Sequence, residues 1–185
     1  SKYYKRLVFD ELFAHFLISS KIRTKIKKIK KSQKIFKDCK EKLIQDLNFK
    51  LTNDQEAAIK IINEDLKSKS RMFRILQGDV GSGKTVVAAF CSLQILLNNK
   101  QVAIMAPTEI LAEQHRLNFL EWLSPFKYQI DLLSSKVKGK LREEVYQKIE
   151  DGSTQVIIGT HALFQEKVEI DNVGLIVIDE QHKFG

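Results

Sequence analysis

The sequence predicts an α/β domain, in which helices flank a parallel sheet, preceded by a basic helical appendage. From about residue 49 onward, short apolar runs alternate with segments of helical periodicity, as expected for strands buried under helices. A glycine-rich loop lies between one such apolar run and a helix-forming run. The first 50 residues carry 15 Lys and Arg against 5 Asp and Glu, whereas the remainder carries 16 against 18. The positive charge therefore belongs to the appendage.

The predicted elements of the α/β domain follow one another largely in strand–helix order. The first helix follows an N-cap candidate within residues 51–55. Its periodic apolar residues are Ala57, Ala58, Ile61, Ile62 and Leu66. Further helices are predicted at residues 83–97, 110–123 and 140–150, and strands at residues 73–76, 102–106, 128–133, 156–158 and 175–178. We expect the strands to be buried on both faces, since helices cover a parallel sheet on both sides.

The appendage has the pattern of a basic amphipathic helix. Apolar residues recur at helical spacing over residues 21–46, and lysines fill most of the other positions there. Such a helix is too polar to form a core alone, so we expect it to pack on a neighbouring domain. A solvated linker helix and a direct nucleic-acid contact are both open interpretations of the lysine run.

Size and composition indicate one globular domain with the appendage. The chain has 185 residues, of which 43% are hydrophobic and 29% charged, and the sequence predicts no membrane span. Cys39 and Cys91 match no metal-ligand spacing, which suits a reducing cytoplasm. His115 and His161 are expected to be structural or hydrogen-bonding residues rather than metal ligands.

The glycine-rich loop has the complete pattern G-x-x-x-x-G-K-[ST] of a phosphate-binding loop. Its backbone must curl so that its N–H groups point inward, which glycine permits. Lys84 would place a charge at the β- and γ-phosphates of a nucleotide, and the Thr85 hydroxyl would bind Mg²⁺. A plain glycine-rich turn is the simpler alternative, but the flanking strand and helix patterns favour the phosphate loop. The candidate nucleotide-binding residues are Gly78, Asp79, Val80, Gly81, Ser82, Gly83, Lys84 and Thr85.

A second apolar run ends in two acids, Asp179 and Glu180, about 95 residues after the loop. A sheet that delivers a carboxylate beside the Mg²⁺ held by Thr85 is what ATP hydrolysis requires. Asp179 would hold the metal through water, and Glu180 would orient and deprotonate the attacking water. Glu180 and Lys84 are therefore the candidate catalytic residues. A strand followed by exposed acids is the simpler alternative.

Several motifs together resemble those of superfamily 2 helicases. Residues 179–182 (Asp-Glu-Gln-His) resemble the DExH box, and residues 49–55 resemble the Q motif. Residues 106–112 and 159–163 resemble motifs Ia and Ib. The resemblance implies a RecA-like P-loop NTPase lobe, with ATP and Mg²⁺ as its cofactors. That lobe would occupy residues 49–185, and residues 1–48 would be a linker between a wedge domain and the motor.

The resemblance also implies roles for residues outside the phosphate loop and the acid pair Asp179 and Glu180. Gln55 would hydrogen-bond the adenine edge. Gln181 and His182 would sense the nucleotide and couple it to the DNA-binding face. Thr108 and Thr160 would donate hydrogen bonds to DNA phosphates, and helix capping is the alternative role of both.

Longer strings resemble one branch of the superfamily, the bacterial helicases that remodel branched DNA. They lie at residues 77–85, 105–115 and 178–185, and residues 5–12 resemble the connection between wedge and motor in that branch. The implied function is an ATP-dependent DNA helicase of the bacterial cytoplasm that acts on stalled forks and Holliday junctions in recombination and repair. Lys183 stands where that branch is expected to have arginine. Lysine keeps the positive charge but lacks the planar, bidentate fork of arginine.

Motors of this superfamily bind ATP between two lobes, and the resemblance implies that the second lobe supplies a catalytic arginine. We therefore expect this chain to be a piece of a larger motor, weak or inactive alone. Its expected partners are branched or duplex DNA and the missing second lobe and wedge domain, in the same parent chain or a separate one. Two alternatives stay open. One is the first lobe of a transcription-repair coupling translocase, which shares the phosphate-loop and Gly-Thr-His strings. The other is a non-catalytic DNA-binding or interaction module.

Overall fold

The computed structural model describes residues 50–69, 71–135, 137–160, 168 and 170–180. These residues fall into two compact units, one with residues 60–69 and 71–75 and the other with the remaining described residues. The basic helix predicted at residues 21–46, and with it the proposed linker, lies outside the described residues. None of the helices within the described ranges is long and apolar enough to cross a membrane.

The helices of the described chain are α1 (Asn53–Lys67), α2 (Lys84–Leu96), α3 (Glu109–Trp122) and α4 (Lys140–Glu150), with a short 3₁₀ turn at Ser124–Phe126. The predictions for α2, α3 and α4 are confirmed to within one residue at each end. A side-chain cap marks the start of α3. Thr108 precedes α3, and its Oγ1 accepts a hydrogen bond from the Leu111 backbone N–H at 3.3 Å.

The strands are β1 (Gln101–Met105), β2 (Ile130–Leu133), β3 (Val156–Gly159) and β4 (Val173–Ile178). They form one parallel sheet in the order β2-β3-β1-β4. The central strands β1 and β3 are buried along their whole length, as their continuous apolar sequences predict. Helix α2 packs on β1 and β4, and α3 packs on β2 and β3. The predicted α/β class, a parallel sheet flanked by helices, is confirmed.

The strand predictions differ from the structure in three respects. The strand predicted at residues 128–133 begins at residue 130, and the one predicted at residues 175–178 begins at residue 173. Residues 71–79 form no strand, and Phe73 and Ile75 are 74% and 79% exposed, so the strand predicted at residues 73–76 is wrong. An apolar run favours a strand but forms one only where a neighbouring strand completes its hydrogen bonds. Strand β4 is not buried on both faces: Leu175 is buried, whereas Ile176 and Ile178 are about half exposed. β4 is one of the two edge strands of the described sheet, and α2 is the helix that packs on it.

The hydrophobic core continues between the sheet and α4. Burying a leucine or isoleucine side chain of this core contributes about 1.5–3 kcal/mol to stability. A buried polar contact ties the same region to β1, because Gln101 Nε2 donates to the carbonyls of Ile149 and Thr154, both at 2.8 Å. The buried residues of this part of the core are Leu133, Ile149 and Ile157, and the residues packed against them are Val145, Tyr146, Val168 and Ile170.

Candidate functional site

The parallel strands bring the ends of three motifs to one edge of the sheet. Met105, the last residue of β1, lies opposite the last residues of β3 and β4. The residues that follow, Ala106, Thr160 and Asp179, therefore leave the sheet at one level, on strands about 4.8 Å apart. The Asp179 backbone N–H donates to the Met105 carbonyl at 2.9 Å, which extends the pairing by one residue. The carboxyl edge of an open α/β sheet is where ligands bind.

The phosphate loop has the backbone that its sequence predicts. Gly81 and Gly83 have φ values of +84° and +82°, in the left-handed region that glycine enters at little cost. The Ser82 N–H donates to the Asp79 carbonyl at 3.2 Å and closes the turn. Successive backbone N–H groups in such a loop form an anion-binding concavity. Helix α2 begins directly afterwards, at Lys84, and adds the positive end of its dipole.

Lys84 lies over the loop. Its Nζ donates to the carbonyl of Gly78 at 2.7 Å and to that of Asp79 at 2.8 Å. An ammonium group has three protons, so the third can be donated to a phosphate oxygen. Gly78 allows the loop to close tightly, because a Cβ there would lie 2.8 Å from Ser82 Oγ. Thr85 follows Lys84 in the first turn of α2 and is half-buried.

Gln55 joins helix α1 to the phosphate loop. Its Nε2 donates to the Ser82 carbonyl at 3.1 Å. Its Oε1 accepts from the Thr52 N–H at 3.0 Å, and Thr52 Oγ1 accepts from the Gln55 N–H at 3.3 Å. This reciprocal pair is a capping box, which starts α1. The resemblance to the Q motif implies an adenine contact for Gln55, and nothing in that motif indicates its contact with the loop.

The first acid after β4 has a partner that the sequence did not identify. Asp179 Oδ2 lies 2.9 Å from Nε2 of His115 on α3. Hydrogen bonding was predicted for His115, and the spacing of Ala112, His115 and Phe119 on the buried side of α3 was the available signal. Glu180 has a φ of +50°, a conformation that non-glycine residues rarely adopt and that clusters at functional sites.

The remaining candidates are placed as follows. The alternative prediction for Thr108, helix capping, is confirmed by its contact with the Leu111 N–H. Thr160 is half-buried at the end of β3. Gln181, His182 and His161 lie outside the described residues. The structure thus brings Gln55 to the phosphate loop and His115 to Asp179.

The fold and these motifs define the class of protein: the chain belongs to the DEAD/DEAH box helicase family, whose model matches residues 52–185. Membership of this family implies that the domain binds ATP. The predicted resemblance to superfamily 2 helicases is therefore confirmed.

Within that class, the chain is similar to the ATP-dependent DNA helicase RecG. It is 47% identical to the Haemophilus influenzae protein over 182 residues, which are 98% of this chain and 26% of that protein. It is 46% identical to the Aquifex aeolicus protein over 185 residues, 99% of this chain and 23% of that protein. The chain thus spans about a quarter of the length of these relatives.

Two solved structures resemble this chain in fold. The structure of RecG bound to a three-way DNA junction matches with a TM-score of 0.84 and 41% identity, over 98% of this chain and 25% of that one. A hypothetical ATP-dependent RNA helicase from Sulfolobus tokodaii matches with a TM-score of 0.58 and 18% identity, over 77% of this chain and 40% of that one. The second likeness concerns the fold alone.

Proposed function

We propose that this chain is the ATP-binding lobe of an ATP-dependent DNA helicase that remodels branched DNA, such as stalled forks and Holliday junctions, in recombination and repair. The relatives named ATP-dependent DNA helicase RecG, one of them solved on a three-way DNA junction, support this function. They also favour it over the transcription-repair alternative. The second lobe and the wedge domain would come from the rest of a longer protein or from a separate chain.

The observation that carries the proposal is the direction of α2 over β4. A Cβ on Gly174, near the start of β4, would lie 2.6 Å from Cγ2 of Ile95, near the end of α2. A helix of 13 residues and a strand of 6 are each about 20 Å long. Because α2 packs on β4, its first turn therefore points to the end of β4. This arrangement supports Thr85 and Asp179 as two sides of one site.

The donor set fits Mg²⁺. The Thr85 hydroxyl and the Asp179 carboxylate are hard oxygen donors of the kind that Mg²⁺ prefers. The contact with His115 uses Oδ2 of Asp179, so Oδ1 can accept a hydrogen bond from a metal-bound water. When bound, Mg²⁺ would neutralise charge on the β- and γ-phosphates. Thr85 would hold it directly and Asp179 through water.

The nucleotide would be held and cleaved by residues of the loop and its surroundings. The loop N–H groups and Lys84 would bind the phosphates, and Gln55 would contact the adenine edge. Glu180 would accept a proton from the water that attacks the γ-phosphate. Its position directly after Asp179, in a strained backbone conformation, supports that role.

The DNA contacts would lie at the same sheet edge. Thr108 and Thr160 follow the neighbouring strands β1 and β3, whose last residues pair in register. Hydroxyls and backbone N–H groups at such positions are common phosphate contacts. Gln181 and His182 would couple the nucleotide to this face. A cytoplasmic location is part of the proposal, in keeping with bacterial relatives and two widely separated cysteines.

The test is DNA-stimulated ATP hydrolysis by the full-length protein. A three-way junction should stimulate hydrolysis more than linear duplex of equal length. Glu180→Gln should retain ATP binding and lose hydrolysis, whereas Lys84→Ala should weaken binding and lose hydrolysis. This chain alone should hydrolyse ATP slowly or not at all, because the second-lobe arginine is worth about 10³–10⁵ in rate in related NTPases.

The non-catalytic alternative predicts a different outcome. If the lysine-rich appendage were the functional part, DNA affinity would fall steeply with salt and would be unchanged by ATP or by Lys84→Ala. If the full-length protein showed such binding and did not hydrolyse ATP, the proposed motor function would be wrong and the chain would be a DNA-binding module.

A further inference from the structure

We propose that His115 is the positioning residue for Asp179, and that it holds the carboxylate in the orientation that accepts a hydrogen bond from a metal-bound water. The inference rests on the proposed function, since it takes Asp179 as the residue that holds Mg²⁺ through a bound water. It assigns to α3 a part in building the ATP site that is separate from its capping residue Thr108. His115 itself would contact neither nucleotide nor metal.

The contact between the two side chains has the geometry of a good hydrogen bond. His115 Nε2 and Asp179 Oδ2 are 2.9 Å apart, although the residues are 64 positions apart in sequence. The side chain of His115 is 9% exposed and that of Asp179 is 31% exposed. A hydrogen bond shielded from water in this way is stronger than one on the open surface.

The direction of the hydrogen bond follows from the other ring nitrogen. His115 Nδ1 is buried, and no hydrogen-bond partner for it exists among the residues that the structure describes. A hydrogen on Nδ1 would be a buried donor without an acceptor, which costs about 1–3 kcal/mol. Nε2 therefore carries the hydrogen in the neutral ring and donates it to Asp179.

The backbone leaves the carboxylate to be oriented by a side chain. The Asp179 N–H is fixed to the Met105 carbonyl at 2.9 Å, but the side-chain torsions of Asp179 are not fixed by that bond. His115 lies on α3 between the buried residues Ala112 and Phe119, which makes it a rigid donor. A rigid donor on Oδ2 selects one carboxylate orientation and thereby directs Oδ1.

The expected consequence is a change in metal affinity rather than in metal-free nucleotide affinity. Outer-shell groups typically contribute 10–100-fold to metal affinity or activity, and His115 would act through one such group, Asp179. Nucleotide bound without metal depends on the loop and on Lys84, and no hydrogen bond joins His115 to residues 78–84, all of which the structure describes. The two affinities therefore separate a positioning role from a general loss of structure.

The experiment is a Mn²⁺ titration of this chain with a saturating non-hydrolysable ATP analogue, with bound Mn²⁺ measured by electron paramagnetic resonance. His115→Phe keeps the ring and removes the donor, so Mn²⁺ affinity should fall about tenfold, the low end of that range, because His115 acts through an outer-sphere carboxylate. His115→Gln keeps an N–H at similar reach and should stay within about threefold of the wild type. The matched control is Arg116→Ala, which breaks an ion pair with Glu113 on the same helix and should leave Mn²⁺ affinity unchanged.

Three results would overturn the inference: unchanged Mn²⁺ affinity in His115→Phe, an equal loss in Arg116→Ala, or the same loss from His115→Phe when Asp179 is already Asn. If Asp179→Asn alone leaves Mn²⁺ affinity unchanged, the metal assignment in the proposed function fails instead. Should His115→Phe not fold, His115→Asn takes its place. Its side chain is one carbon shorter than that of Gln and should not reach Asp179, so it should lose affinity where His115→Gln does not.

Discussion

Gln55 Nε2 donates to the Ser82 carbonyl of the phosphate loop at 3.1 Å, while Oε1 of the same side chain accepts from the Thr52 N–H at 3.0 Å. One amide thus starts helix α1 and supports the loop. Because both ends of the amide are used, the residue has two separable effects. One is on the free energy of unfolding, and the other is on nucleotide binding.

Two substitutions separate these effects. Thr52→Ala removes the cap and should lower the free energy of unfolding by about 1 kcal/mol without changing nucleotide affinity. Gln55→Glu keeps a capping-box acceptor and removes the donor to Ser82, so nucleotide affinity should fall while stability stays near that of the wild type. Urea unfolding and titration with a fluorescent ATP analogue measure the two quantities. Wild-type affinity in Gln55→Glu would show that the loop contact is irrelevant.

The two left-handed glycines of the loop offer a matched pair. A Cβ on Gly83 would collide with Gln55 Nε2, whereas one on Gly81 would meet nothing within 4 Å. Alanine at either position should cost about 1–2 kcal/mol in backbone strain. Gly83→Ala should also displace the Gln55 amide, so its effect should not add to that of Gln55→Ala. Chemical denaturation of each glycine variant combined with Gln55→Ala tests this. The expectation would be contradicted if the losses in unfolding free energy added equally well in both double variants.

Thr108 has a capping role in the structure and a proposed role in DNA binding. Thr108→Ala should cost about 1 kcal/mol in stability, because the Leu111 N–H loses its acceptor. Thr108→Asp keeps a cap and places a negative charge at the proposed phosphate contact. It should therefore retain stability and weaken DNA binding by the full-length protein, as measured by fluorescence anisotropy. Unchanged DNA affinity in Thr108→Asp would leave capping as its role.

Cys91 should be unreactive in the folded chain. Burial disfavours the thiolate and raises the pKa of Cys91 from 9.0 to about 12. The thiolate fraction at pH 8 therefore falls about a thousandfold, so Ellman's reagent should label Cys91 in a Cys39→Ser variant only after denaturation. Since the folded pKa is the higher one, this thiol stabilises the fold below pH 9 and loses that contribution as the pH rises toward 12. Equal labelling rates with and without denaturant would contradict the burial.

The sequence predicted most elements because their periodicity reflects one-sided or complete burial. The continuous apolar runs of β1 and β3 are central strands, and the helical patterns gave α2, α3 and α4 to within one residue. The pattern failed at residues 73–76, which have the composition of a strand and form none. A strand depends on hydrogen bonds from a neighbour, and no single run of residues records that neighbour.

The parts of the site that are encoded by a short continuous motif could be predicted from the sequence. The left-handed glycines of the loop follow from its motif, since few other residues adopt that backbone. The contacts of Gln55 with Ser82 and of His115 with Asp179 were not predictable in this way. They join residues 27 and 64 positions apart, and only the fold brings them together.

Binding of a fluorescent ATP analogue with Mg²⁺ to Lys84→Ala tests the central claim most directly. The matched control is Lys140→Ala, since Lys140 also opens a helix after a positive-φ glycine, Gly139. Loss of a charged hydrogen bond to phosphate should weaken binding about 10- to 100-fold in Lys84→Ala and leave Lys140→Ala like the wild type. Equal affinity of Lys84→Ala and the wild type would contradict the assignment of residues 78–85 as the phosphate site.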